Sequence, residues 1–141
     1  MEIDRNGMEV LDREHSLALV RSATIGRLAI HAGALPAIVP VNFILTADAV
    51  VIRTGTGSKL QQAVDNAVVA FEVDDYDALR HTGWSVNVVG IAREITDPSL
   101  LDRVRRLPLA HWVPGPADHH LAISLDVVTG RRILEAAHVS V

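Results

Sequence analysis

Arg53, Ser58 and Lys59, set around two glycines in the run Arg53-Thr54-Gly55-Thr56-Gly57-Ser58-Lys59-Leu60, are the residues whose types and spacing best suit chemistry. That chemistry is the grip of a phosphate. The preceding Val50, Val51 and Ile52 are apolar and β-branched, so Arg53 is expected near a strand end. Gly55 and Gly57 permit a turn with positive φ. Ser58 followed by Gln61 fits a capping box, which places Ser58 at the N-cap of a helix running on through Leu60, Gln62, Ala63 and Val64. Free N–H groups in a first helical turn attract anions, and Arg53 and Lys59 add two full charges, the arginine able to hold phosphate bidentately. The same eight residues equally suit a strand, a loop and a capped helix with two solvated basic side chains. They are not a Walker A loop, because the lysine follows the serine, nor a dinucleotide fingerprint, because the glycine spacing differs.

Other constellations are narrower. Pro40, inside Val39-Pro40-Val41-Asn42-Phe43, removes a ladder donor and marks an edge strand, or a strand whose backbone lies against something other than sheet, such as a planar ligand. Trp84 and Ser85 suit a core or a pocket wall. His119 and His120 are adjacent in an extended stretch, so they point to opposite faces; no metal site is expected. No serine occupies a nucleophile elbow, and the absence of cysteine excludes thiolate chemistry, iron–sulfur clusters and disulfides. Chemistry without metal or nucleophile calls for an organic cofactor.

The elements that must position these residues read as mainly β, a β-barrel with accessory helices. A helix is expected over residues 9–22, capped by Asp12 or Asp4. A hairpin follows, with Ile25, Leu28 and Ile30 in one strand, a turn at Gly33 and a second strand over 36–45. Further strands are expected ending at Arg53, over 68–73, over 83–95 and over 120–127, six in all. The sequence Asp74-Asp75-Tyr76-Asp77 reads as an acidic loop, and Asp97-Pro98 opens a helix to about Leu107. At 141 residues and 49% hydrophobic content the chain suits one domain spanning 1–141. A net charge of −4 argues against nucleic acid as a partner; the cluster Arg103, Arg105 and Arg106 reads as a solvated helix face. With no long apolar run and no signal-like N-terminus, a cytoplasmic protein without a membrane partner is expected.

Taken in order, six blocks resemble the pyridoxamine 5′-phosphate oxidase-like flavin-binding proteins: G-R-L-A from Gly26, V-P-V-N-F from Val39, R-T-G-T-G-S-K-L from Arg53, V-A-F-E-V-D from Val69, G-W-S-V-N-V-V-G from Gly83 and T-G-R-R-I from Thr129. The resemblance covers about residues 8–133. It implies a six-stranded antiparallel split β-barrel of the FMN-binding type, a homodimer with FMN in clefts between the subunits. By the same resemblance Arg53, Thr54, Ser58 and Lys59 would bind the FMN phosphate. The backbone of Val39, Pro40, Val41 and Asn42 would lie along the flavin ring. Trp84 and Ser85 would line the pocket, and by looser analogy Trp112 and Arg131 would reach it from the partner subunit. The C-terminal T-G-R-R-I lacks the Arg-x-His-x-x-Arg type of segment that holds substrate phosphate in oxidases of pyridoxamine phosphate, which argues against vitamin B6 oxidation.

The expected activity is FMN-dependent oxidation or reduction of a small planar substrate, with no catalytic side chain assigned beyond His119 or His120 as groups near the cleft. A non-enzymatic flavin or haem binding or storage protein and a deazaflavin-dependent reductase are the alternatives, so deazaflavin and haem stand beside FMN as cofactors.

Overall fold

The computed structural model describes residues 1–58, 60–61 and 66–136. Among these, the strands are β1 (Glu2–Ile3), β2 (Glu9–Leu11), β3 (Ile25–Ala32), β4 (Leu35–Asn42), β5 (Ile44–Leu45), β6 (Ala49–Thr54), β7 (Ala67–Asp77), β8 (Thr82–Glu94), β9 (His119–Ser124) and β10 (Val127–Ile133). The helices are α1 (Arg13–Arg21) and α2 (Pro98–Arg105).

Alternation builds the barrel wall. In β3, Gly26, Leu28 and Ile30 are buried while Arg27, Ala29 and His31 are exposed. In β8, Val86, Val88, Gly90 and Ala92 are buried, as the period of a half-buried strand requires. The inward side chains form one core around Phe71, Leu28, Ile52, Leu121 and Ile123, with Phe43 edge-on to Phe71 at 4.8 Å between ring centres. Val20 of α1 plugs into this core. A second, smaller cluster of Val51, Ile95 and Val104 joins α2 to the outer face of β6.

Pairing is antiparallel throughout, in the order β1-β2-β10-β8-β7-β3-β4, and β8 also carries β9, which carries β6 and then β5. The branch at β8 splits the barrel. Its first half pairs with β10 from Gly83 to Val89, and its end pairs with β9 from Ala92 to Glu94. Among the described residues the ladders end at β1, β4 and β5, so the sheet is not closed. Pro40 sits in β4, a strand paired only with β3, where its missing N–H costs no second ladder.

Ten strands, rather than the expected six, make this sheet. The run expected over 36–45 breaks at Phe43 into β4 and β5. Residues 9–11 are strand, and the helix starts only after Asp12, whose carboxylate accepts the His15 N–H at 2.7 Å. The expected acidic loop at 74–77 continues β7, because Asp74, Asp75, Tyr76 and Asp77 pair in register with Ser85, Trp84, Gly83 and Thr82. Arg131 and Arg132 lie in the unforeseen β10, tied to the N-terminal strands through Asp4 at 3.1 Å and Glu9 at 3.5 Å instead of standing free in solvent. Among the described residues no helix is long and apolar enough to cross a membrane.

Candidate functional site

Three segments far apart in sequence meet at one mouth of the barrel and enclose a cleft of about 670 Å³. That size suits a cofactor or small-molecule ligand, since such sites typically occupy about 300–1,000 Å³. One wall is the end of β4, with Val39, Pro40, Val41 and Asn42. The end of β6 and its following loop supply Arg53, Thr54, Gly55, Thr56 and Ser58. Residues 111–116 close the third side.

The loop after β6 is knitted by its own polar groups. Ser58 Oγ accepts the Gln61 N–H at 3.0 Å, the N-cap bond expected of it, and Gln61 Oε1 accepts the Gly57 N–H at 2.6 Å. Thr54 Oγ1 and Ser58 Oγ lie 2.6 Å apart. Two hydroxyls use one proton between them, so the other O–H remains as a donor toward the cleft. Thr56 bonds His119 Nε2 at 2.7 Å, and His119 Nδ1 meets Glu94 Oε1 at 2.8 Å, which pins the loop to β8 and β9. Only Gly57 of the two loop glycines has positive φ, at 72°. Gly55 serves close approach: a Cβ there would stand 2.8 Å from the Pro116 carbonyl oxygen. Lys59 lies outside the described residues, as does most of the expected helix beyond Gln61.

Alternation along β6 explains why Arg53 and Thr54 differ. Thr54 follows Val50 and Ile52 into the barrel and is buried, whereas Arg53 follows Val51 toward α2. The Arg53 guanidinium donates through Nε and Nη2 to the Ala117 carbonyl at 3.3 and 3.1 Å, leaving Nη1 uncommitted by these bonds. Arg53 thus forms part of the cleft wall and of a smaller pocket behind it.

Asn42 Oδ1 accepts the Trp112 N–H at 2.9 Å and so fastens the 111–116 segment over β4. Asn42 Nδ2 and His111 Nε2 are both closed off from solvent and lack a protein partner. Polar atoms stranded this way at a cleft are groups a ligand could satisfy. His111 went unnoticed in the sequence; the available signal was a histidine beside Trp112 in a Pro- and Gly-rich stretch. Trp112, expected to arrive from a partner subunit, lines the cleft of its own chain at the rim, 66% exposed.

Trp84, Ser85 and Arg131 do not join this cleft. They line a separate depression of about 260 Å³ with Glu72 and Asp74. Arg131 is held there by Asp4. Partial burial and the adjacent Asp74 push the Glu72 carboxyl up to about 7, against the pull of Arg27 at 3.4 Å. His120 is buried, lies behind Arg53 rather than in the cleft, and titrates below the ordinary histidine value because of desolvation, with Arg53, Arg105 and His119 adding to the shift. Among the described residues no group of three or more His, Cys, Asp or Glu is placed to hold a metal ion.

A family model described as pyridoxamine 5′-phosphate oxidase matches residues 12–132. The chain belongs to the pyridoxamine 5′-phosphate oxidase-like family. An uncharacterized protein of Mycobacterium tuberculosis is 42% identical over 129 residues, covering 88% of this chain and 84% of that protein. Among solved structures, the FAD binding protein from Mycobacterium smegmatis is 33% identical, covers 87% of this chain and 96% of its own, and superposes with a TM-score of 0.76. A conserved protein of unknown function from Corynebacterium diphtheriae is 31% identical, with coverage of 90% and 98% and a TM-score of 0.76. The mainly β, split-barrel fold is therefore that of the family.

Proposed function

We propose that this member of the pyridoxamine 5′-phosphate oxidase-like family binds a flavin, FMN, in the cleft between β4, the loop after β6 and residues 111–116, and acts as an oxidoreductase on a small planar substrate. The observation that carries the reading is the meeting in one cleft of the hydroxyl-bearing loop after β6 with a wall of Val39, Pro40 and Val41. Family membership and the FAD-binding relative support it.

The residues present fit such a group. Thr54, Ser58 and Arg53 offer hydroxyl and guanidinium donors to a phosphate, and Lys59, by sequence, adds a charge beside them. The β4 backbone offers the ring a flat apolar seat. Asn42 Nδ2 and His111 Nε2 supply unsatisfied polar atoms for its heteroatom edge. When bound, the flavin supplies hydride or single-electron transfer; the chain supplies seat, charge and shelter from water.

We propose also that the working unit is a homodimer. Edge strand β4 presents Leu35 and Ile38, each 72% exposed, and a second copy would cover such apolar surface. Trp84, Ser85 and Arg131 would then come to a cleft only across the subunit boundary. Titrating FMN and following quenching of its fluorescence tests the cofactor. Saturable binding at micromolar protein is expected, and none at that concentration would dismiss the reading. Competition with a deazaflavin selects between the two cofactors, turnover with NADH or NADPH separates enzyme from storage protein, and a monomeric mass by sedimentation would sink the dimer.

A further inference from the structure

Behind the cleft, on the α2 side of Arg53, lies a second pocket of about 240 Å³. Cross-strand pairing puts Arg53 of β6 directly opposite His120 of β9, so both side chains stand on the face that α2 covers. Arg105, at the end of α2, lines the same space, with Leu107 and Leu109 as apolar walls. Two guanidinium groups therefore converge here, and among the described residues neither forms an ion pair: the Arg53 side chain bonds only the Ala117 carbonyl, and the Arg105 side chain has no hydrogen bond. His120 is 5% exposed and its Nδ1 is closed off without a partner. A half-buried guanidinium and an exposed one, beside a stranded imidazole nitrogen, have no counter-ion among the described residues.

We propose that this pocket is a second anion site, on the far side of Arg53 from the cleft and sharing that residue with it, that holds a phosphate or carboxylate group between Arg53 and Arg105 with His120 as a further donor. Asp118, the carboxylate among the pocket-lining residues, is exposed and pairs with neither arginine. It disfavours a multiply charged ligand and favours one compact anionic group. The pocket goes beyond the flavin reading, since Thr54 and Ser58 line the cleft and not this pocket.

The arrangement sets a pH dependence. The groups facing His120 are Arg53 from β6, Arg105 from α2, His119 beside it and Asp118 at the pocket; desolvation, Arg53, Arg105 and His119 hold its proton affinity down. An anion seated between the arginines offsets them and favours the imidazolium. Binding therefore takes up a proton and strengthens as pH falls through the range below the ordinary histidine value.

Inorganic phosphate titrated into flavin-free protein, followed by the NMR signals of the His120 ring, provides the test. A saturable shift is expected, tighter at pH 5.5 than at pH 7.5. Arg105→Gln, at an exposed helix end, should weaken it about tenfold or more, the loss expected for one charge-assisted hydrogen bond. Ser58→Ala, on the cleft side, should leave it in place. No saturable shift, or a shift lost with Ser58→Ala and kept with Arg105→Gln, overturns the proposal. Saturating FMN and FAD then separate the sources. Phosphate that still binds beside both marks a free anion; displacement by FAD alone marks a second anionic group on the cofactor; displacement by FMN assigns the signal to the cleft and overturns the second site. Because the phosphate titration needs no flavin, failure of flavin binding leaves it intact.

Discussion

Replacing Ser58 by alanine removes one oxygen that does two structural jobs at the site. Its Oγ accepts the Gln61 N–H at 3.0 Å, and losing an N-cap of this kind costs about 1 kcal/mol. It is also the 2.6 Å partner of the Thr54 hydroxyl, which is only 6% exposed. Stranding a buried hydroxyl costs about 1–3 kcal/mol. The two effects share an atom, so a combined loss of about 2 kcal/mol is expected, or about 7 °C in Tm for a domain of this size. Thermal unfolding of Ser58→Ala beside Ser58→Thr reads it, the threonine keeping the hydroxyl. If the site also grips a flavin phosphate, FMN affinity should fall by a further about 1.5–3 kcal/mol in the alanine variant and little in the threonine one. A melting point within about 1 °C of the parent, together with unchanged FMN affinity, would refute both the capping and the cradle.

Gly55→Ala places a methyl group against the Pro116 carbonyl, whose backbone cannot yield cheaply, so a stability loss of about 1–3 kcal/mol and weakened FMN binding are expected by melting and titration. Gly90→Ala drives a Cβ into the Ser124 carbonyl across β8 and β9; urea unfolding should show a loss of about 3 kcal/mol. Glu72 holds its proton more tightly folded than unfolded, so its contribution to stability is lost as pH rises from its ordinary 4.5 through about 7. Its side chain is 30% exposed, which limits the effect to about 1 kcal/mol, and Glu72→Gln should melt about 3 °C higher than the parent at pH 8 with little difference at pH 4.

The cleft's main parts were legible because their chemistry is local. Ser58 and Gln61 announce a cap, Pro40 announces an edge, and both stand where the residue types demand. What escaped depended on partners remote in sequence. Asp74, Asp75 and Asp77 look like a loop until Thr82 to Ser85 are seen paired beside them, and the strand that carries Arg131 shows only once Leu11 and Asp4 are placed beside it. Gly55 was read as a turn glycine, yet what it avoids is Pro116, sixty-one positions later. His111 carries no local signal, because its standing rests on lacking a partner in three dimensions. The two faces of β6, which turn Thr54 into the barrel and Arg53 toward α2, follow from strand period once the register is known.

Leu11 in β2 pairs with Gly130 in β10, and β10 completes its ladder on β8. Apart from the two-residue β1, a ribosome-bound chain has no partner for β2 until β10 emerges. Pairing of β2 with β10 is thus a late, long-range event, slow for a chain of this length. Until then the flank of β8 from Gly83 to Val89 is bare, a stretch with Val86, Val88 and Val89 that invites pairing with another nascent copy. The terminal strand is as much a guard against aggregation during synthesis as a part of the finished wall.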